Sequence, residues 1–489
     1  MMKKVVKMIC LSLSILVLAT AVFTPTASAA DTGVKRVSVS VNGDTQTSRG
    51  FNWCTTTQTA SVVKIMKEAD YEGSFDGAVE YTGASAFFKD NYYHKVTVSD
   101  LEAATDYVYI VGDGTTWSDA GSFRTNAGRE ENFSFIAIAD VQASGIDNFI
   151  RASKVLNAAE TMLPNSDFTV SLGDFVNDCT NQEWDDYFTA FKDSNLNSTG
   201  VPVVGNHEGN LKWNWFNNMF NLGAPEGGAT QTGSYYSFDY GNAHIAVLNT
   251  NDMYPMSQEQ LNWLKNDMNK TDADWKFVFM HRALYSAGKN INKPDTVIMR
   301  NVLLPVIDEL GIDLVMAGHD HMYMRTYQVK GDEVQQTQTV TELFNGVETE
   351  FAVNPEGTVH ILPSTAGTKR YSLNEEAISP ILDLAAKAFD TKSHGTFSTV
   401  EIDMDDESNT TRLVYKAYAF NEQDENAVPE LIDSYAIKKD MGRNTVDPDY
   451  EELPETNAEN IMARGFRFFN EMMKYMVLLF TKILPKMIF

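Results

Sequence analysis

The stretch AGHDHMYMRT, residues 317–326, decides how this chain is read. It continues the apolar run DLVMA (313–317), a short buried strand that stops at Gly318. His319 and His321 follow, with Asp320 between them. In an extended segment residues two apart face the same side, so one loop can aim two imidazoles at one place. Alone, such a pair is also an ordinary surface loop. Four upstream stretches repeat the design. FSFIAIAD (133–140) and FTVSLGD (168–174) end on Asp140 and Asp174, VPVVGNHE (201–208) on Asn206, His207 and Glu208, and FVFMH (277–281) on His281. Buried parallel strands look like these runs, and α/β proteins gather ligands beyond the carboxyl ends of such strands. Five strand ends that each deliver an oxygen or nitrogen donor predict an α/β fold with one convergent polar pocket.

Length and composition set the outer bounds. The 489 residues allow two or three domains, and 43% hydrophobic with 11% aromatic content is globular. The formal charge is −27. An acidic body repels phosphate backbones, so nucleic-acid binding is not expected. Residues 1–30 read as a secretory signal: Lys3, Lys4 and Lys7, an uncharged apolar stretch over 8–23, and Ala27-Ser-Ala29 as a cleavage site. Secretion, with cell-surface association as a variant, is the expected location. Beyond Cys10 of the leader only Cys54 and Cys179 remain, too few for a disulfide framework, and both are expected free and buried.

Residues 33–127 alternate as β-strands do, at Val37, Val39 and Val41, at Val96 and Val98, and at Tyr107, Tyr109 and Val111. A small sandwich of about seven strands is predicted, with Trp53 as core aromatic rather than ligand platform. Residues 131–440 alternate between apolar runs and amphipathic stretches, with helices expected at 150–162, 183–191, 257–268 and 296–310. Ser257 and Gln260 suggest a capping box for the third helix. An exposed hairpin is expected within 331–355, and 357–367 reads as the edge of a second sheet. The predicted whole is a two-sheet α/β sandwich with outer helices, preceded by the all-β domain. Residues 441–460 read as a linker. Over 461–489, Arg464, Arg467, Lys474, Lys482 and Lys486 face one acid, Glu471, among Phe, Met, Leu and Ile. This segment reads as a basic amphipathic helix, either on an anionic membrane surface or docked on the protein's core or on an oligomer partner.

Asp140, Asp174, Asn206, His281, His319 and His321 form one donor set. Carboxylate, amide and imidazole suit Mn, Fe or Zn. A single zinc takes about four ligands. Two ions roughly 3.5–4 Å apart, bridged by a carboxylate, use all six donors. Asp174, after the sharp turn at Gly173, is the best bridge.

In this order GD-x-x-N (173–177), GNHE (205–208), an apolar strand ending in His281, and GHDH (318–321) resemble the calcineurin-like metallophosphoesterases of the purple-acid-phosphatase branch. Residues 101–109 (LEAATDYVY), closing on 121–125 (GSFRT), are similar to the fibronectin-type-III-like domain that precedes the catalytic domain there. The resemblance implies one metal at Asp140, Asp174 and His321, and a second at Asp174, Asn206, His281 and His319. A bridging water would attack phosphorus, and His207 would contact the phosphate or protonate the leaving oxygen. Three departures stand out. Asn177 replaces the tyrosine of coloured members, Gln142 replaces the histidine of an Asp-x-His motif, and Asn290 and Ile291 replace plant-type histidines. Gln142 and Asn177 are weak donors to the first metal at most. Glu208 either orients His207 or is a solvated acid. Arg282 and Arg325 either grip phosphate or serve in structural ion pairs, and His244 reads as core packing. The expected activity is phosphate ester hydrolysis, of monoesters first, on phosphorylated small molecules or peptides. The alternatives are a phosphodiesterase or nucleotidase on the same site, and a surface-binding protein with a degenerate metal site.

Overall fold

The computed structural model describes residues 33–209, 214–252, 257–373, 381–446 and 448–454. The leader read at 1–30 and the helix read at 461–489 lie outside them. Eight strands, from Lys35–Ser40 to Gly121–Arg124, make the N-terminal part, one more than expected. Val39, Phe51, Trp53, Ile65, Val96 and Tyr109 fill the space between its two layers. Trp53 is a core aromatic, stacked on His94 with ring centroids 5.0 Å apart. The layer is not self-contained, however. Ser40 pairs in parallel with Gly200, so Lys35–Ser40 joins a sheet of twelve strands that runs on into the second part. Polar positions of the alternation are also buried at this junction: Ser40 Oγ donates to the Asn221 carbonyl at 2.9 Å.

In that long sheet Phe133–Ile138, Phe168–Ser171 and Gly200–Pro202 are parallel neighbours. Gly395–Asp405 pairs antiparallel with the first of them. Beyond it come Thr410–Phe420, Glu430–Asp440 and the hairpin of Val347–Val353 with the edge strand Thr339–Phe344. A second sheet of seven strands contains the parallel run Ala243–Val247, Trp275–Arg282, Leu314–Gly318 and Val359–Pro363. The sequence of 357–367, which contains Val359–Pro363, predicts a sheet edge. The strand lies inside, with Tyr323–Thr326 on its other flank.

Phe135, Phe168, Val170, Phe277, Phe279 and Met316 pack between the two sheets, all fully buried. The alternate residues Ile136 and Ile138 face Phe149 and Val155 of the helix Ile146–Met162. Val278 and Met280 face Leu264, Leu303 and Ile307 of the helices Gln258–Asn269 and Pro294–Leu310. Each strand is therefore apolar on both faces, which is why it reads as an unbroken run.

Three of the four expected helices begin two to four residues earlier than hydrophobic periodicity shows, at Ile146, Asn181 and Pro294, and the third in order begins at Gln258, one residue later. Asn181–Ala190 starts under a full capping box in which Thr180 and Glu183 each accept from the other's backbone N–H. At Gln258–Asn269 only half the expected box forms: Ser257 accepts from Gln260 N–H, but the Gln260 side chain turns to the backbone of Asn249. The stretch read as linker is docked where it is described, since Asn266 Nδ2 donates to the Leu453 carbonyl and Tyr450 Oη to Asn266 Oδ1.

Candidate metal centre

The five strand ends meet. Asp140, Asp174 and Asn206 follow three strands of the long sheet, while His281, His319 and His321 come from the second, so the pocket lies where the two sheets end together. The turns that deliver the donors are strained. Asp140, Asp174 and His319 have φ of 52°, 54° and 74°, a left-handed conformation that costs a non-glycine residue about 1–2 kcal/mol. Hydrogen bonds hold them there: His319 N–H donates to Asp140 Oδ1 at 2.9 Å, and Gln142 N–H to the Asp174 carbonyl at 2.7 Å. Glycines let the loops approach. A Cβ on Gly318 would sit 2.7 Å from Asp140 Oδ2, and one on Gly205 would sit 2.2 Å from Asp174 Oδ1.

Two donor groups share one member. Ligand atoms of Asp140, Asp174 and His321 lie within 4.8 Å of one another, and so do those of Asp174, His281 and His319. Asn206 Oδ1 is 3.2 Å from His281 Nε2 and joins the second group. His281 gives its Nδ1–H to the Leu172 carbonyl at 2.8 Å, and His321 gives its own to the Lys369 carbonyl. Both Nε2 atoms are thereby turned into the pocket as acceptors, the second-sphere arrangement of metal-binding imidazoles. His319 Nε2 is buried with no hydrogen-bond partner among the described residues. Such an orphaned acceptor beside two carboxylates is what a cation would satisfy, so the residues present fit a pair of metal ions.

The electrostatics agree. Burial opposes ionisation of Asp174, but the adjacent His281 holds its carboxyl well below the usual range. His281 is pushed up to about 9, burial being outweighed by Asp174. Burial, and then the His281 and Arg282 charges, keep His319 well below an ordinary imidazole. Cation binding therefore competes with a proton at His281 and meets a neutral His319.

The other expected site residues divide. His207 is in the pocket, its N–H donating to Asp174 Oδ1 at 3.0 Å and its Nε2 3.8 Å from Asp174 Oδ2. Gln142 touches His207 Nε2 through its amide nitrogen, with Oε1 buried and without a hydrogen-bond partner among the described residues. Asn177 is corrected as a donor: its side chain turns to Asp178 at 2.9 Å and its carbonyl accepts from His207 Nδ1. Arg325 is corrected as a phosphate clamp, because Asp433 takes its Nε and Nη2 at 2.7 and 3.0 Å. Arg282 is paired with Asp295 at 2.6 Å, yet its charge reaches His319. Glu208 neither orients His207 nor is solvated. It is 1% exposed and accepts from the N–H groups of Asp174 (3.0 Å), Gly205 (3.1 Å) and Val176 (3.3 Å), bracing two ligand loops. His244 is no ligand of this centre; it bridges Asp239 and Asp267 at 2.7 and 2.8 Å.

Two features had no signal in the residues. Asp320 is buried beneath the histidine pair and accepts from Ser286 and Asn290, both at 2.5 Å, so the loop after His281 is tied to the 318–321 turn. Tyr371 stacks on His321 with centroids 4.4 Å apart.

Known proteins bear on the arrangement. Residues 133–323 match the family described as calcineurin-like phosphoesterase, and residues 34–125 match the purple acid phosphatase N-terminal domain. Acid phosphatase type 7 of Danio rerio is 26% identical over 369 residues, covering 66% of this chain and 76% of that protein. The purple acid phosphatase of Glycine max is 25% identical over 257 residues, covering 50% of this chain and 54% of that one. The chain thus spans about half to three quarters of these curated relatives. Among solved structures, a purple acid phosphatase from yellow lupin (Lupinus luteus) seeds shares the fold, with a TM-score of 0.62 at 17% identity over 88% of this chain and 78% of that one. The chain is therefore built of a purple acid phosphatase N-terminal domain followed by a calcineurin-like phosphoesterase domain, the make-up of a hydrolase of phosphoric ester bonds.

Proposed function

We propose that the chain is an exported phosphatase that cleaves phosphate monoesters, on phosphorylated small molecules or peptides, at a pair of metal ions. The observation that carries this reading is the membership of Asp174 in both donor groups. Asp140, Asp174 and His321 would hold one ion, and Asp174, Asn206, His281 and His319 the other, with Mn, Fe or Zn suited to these donors. Such a pair, when bound, supplies a water acidic enough to attack phosphorus as hydroxide and positive charge for the ester oxygens.

The chain's own residues supply the rest. His207 is fixed by its Nδ1–H on the Asn177 carbonyl, which leaves Nε2 on the pocket side to meet the phosphate or to protonate the leaving oxygen. Gln142 donates to that Nε2 while His207 is neutral and must turn its amide over when His207 is charged. Asn290, where plant-type members have a histidine, is used to hold Asp320, so leaving-group protonation falls to His207. With no tyrosine at position 177, a reconstituted iron form is expected to lack the tyrosinate–iron colour.

Export rests on the sequence of residues 1–30, and contact of 461–489 with anionic lipid is a separate proposal tested by liposome sedimentation with and without that segment. The deciding assay compares p-nitrophenyl phosphate with its bis-ester on protein stripped of metal and reloaded with Mn, Zn or Fe. Turnover of the monoester supports the proposal. Turnover of the bis-ester alone makes the chain a phosphodiesterase, and none with any metal favours the binding-protein reading.

A further inference from the structure

Two lysines flank His321 on segments clamped to the 318–321 turn. On one side, a Cβ at Gly288 would come within 2.7 Å of Asp320 Cγ, and Asn290 Nδ2 donates to Asp320 Oδ1 at 2.5 Å. Lys289, between these two anchors, therefore has a fixed backbone. On the other side the Lys369 carbonyl accepts the Nδ1–H of His321 itself. Between the lysines stands Tyr371, its ring nearly parallel to the His321 imidazole at 15° with centroids 4.4 Å apart. Lys289 Nζ lies 3.8 Å from the same ring centroid, and Lys369 Nζ lies 5.9 Å from it. A stacked imidazole fills one face of the phenol, so an ammonium this close uses the other. The result is a three-layer stack of imidazole, phenol and ammonium, held by a cation–π contact.

Three physical points follow. Both lysines are exposed, and they stand out against a body of charge −27. Lys293 lies near enough that its charge acts on His319, so the cations gather at this mouth. The phenol also separates Lys289 from the imidazole, and the Nε2 of His321 points into the pocket rather than along the stack. Lys289 therefore stands one ring outward of the imidazole that would hold the first ion, on the side where the leaving portion of a substrate, rather than its phosphoryl group, would meet it.

We propose that Lys289 and Lys369 form a second anion subsite, so that the enzyme selects phosphate monoesters whose leaving portion carries another acidic group, a carboxylate or a second phosphate. Tyr371 is a positioning residue that props His321 from one face and Lys289 from the other. This inference rests on the phosphatase reading above.

The test uses metal-loaded enzyme and two esters of similar frame, glucose 6-phosphate and 6-phosphogluconate, each with one phosphoryl group and only the second with a carboxylate. The ratio of kcat/KM for 6-phosphogluconate over glucose 6-phosphate is expected to exceed one. It should fall about threefold to tenfold in Lys289→Met/Lys369→Met, the size of an exposed charged contact, with the change mainly in KM. Lys289→Arg/Lys369→Arg, which keeps both cations, should restore the ratio. High salt should lower it in the wild type and leave it unmoved in the Met variant. Hydrolysis of both esters with a ratio that neither substitution nor salt alters would overturn the subsite while leaving the phosphatase standing. Equal losses on both esters would also overturn it, reducing the lysines to general attraction for phosphate. Hydrolysis of neither ester by metal-loaded wild type would bring down the phosphatase reading and this subsite together.

Discussion

Replacing Gly205 by alanine tests the centre without touching any donor. Gly205 sits between the loop that ends in Asp174 and the Asn206 donor. A Cβ there would lie 2.1 Å from the Asp174 backbone nitrogen, 2.2 Å from Asp174 Oδ1 and 2.7 Å from Glu208 Oε2. Ordinary contact begins near 3.4 Å, so the two loops must part by about 1 Å. The atoms in the way are backbone and a buried carboxylate, which do not swing aside as the end of a flexible side chain does. Overpacking of this kind costs about 1–3 kcal/mol of stability. Function should suffer more, because a 1 Å misplacement of reacting groups costs about 100-fold. Gly205→Ala is therefore expected to remain folded with a lowered Tm, to retain less than its full metal content by elemental analysis, and to lose about 100-fold in kcat on p-nitrophenyl phosphate. Gly311→Ala is the control: Gly311 ends a helix at φ 62° with nothing within 4 Å of the added carbon, so only backbone strain of about 1 kcal/mol is expected. Full metal content with activity within threefold of wild type in Gly205→Ala would refute the claim that the contact of these two loops builds the centre.

Other perturbations separate the remaining roles. Asp174→Asn should abolish turnover, by about 100-fold or more, and lower bound metal without unfolding the chain, and surviving activity would show that the shared ligand has been misassigned. Asp433→Ala leaves Arg325 buried without its carboxylate and also deprives Tyr323 Oη of its 2.8 Å acceptor, so a loss of about 3–5 kcal/mol is expected by denaturant unfolding. Activity per folded molecule should persist, and its disappearance would return Arg325 to the phosphate. His244 is pushed up to about 9: burial opposes its charge, but Asp239 and Asp267 outweigh that. A histidine raised in the folded state stabilises fully below its ordinary value of about 6.5, and that stability drains as pH rises through about 9. Unfolding free energy should fall over this window by at most about 3 kcal/mol, less for screening at exposed Asp239, and His244→Gln should flatten the curve.

The donors were legible and their keepers were not, for a physical reason. A parallel strand buried on both faces writes itself as an uninterrupted apolar run, and the first polar residue past that run is the one the sheet presents at its end. Asp140, Asp174, Asn206, His281 and His319 all carry this local mark. Position within a sheet has no such mark: Val359–Pro363 has the short run and flanking glycine of an edge strand, and only its pairing with Tyr323–Thr326 places it inside. The same holds for Ser38 and Ser40, whose alternation with valine is that of a solvent face, while distant Met219 and Asn221 supply the carbonyls that bury them. Arg325 and Asp433 stand 108 residues apart, so nothing near either one told an ion pair from a phosphate clamp. Asn177 occupies a donor's place in the spacing, but its side chain turns to its own neighbour Asp178, and spacing counts residues, not directions. Glu208 shows the limit most clearly. Its neighbours mark it as part of the motif, yet its burial comes from the Asp174 and Val176 N–H groups of another loop. Residues placed to hold metal ions can be read from where strands stop, whereas residues that aim those donors, such as Glu208, Asp320 and Tyr371, are defined by what folds against them. The latter are therefore where substitutions should alter rate and selectivity while the motifs remain intact.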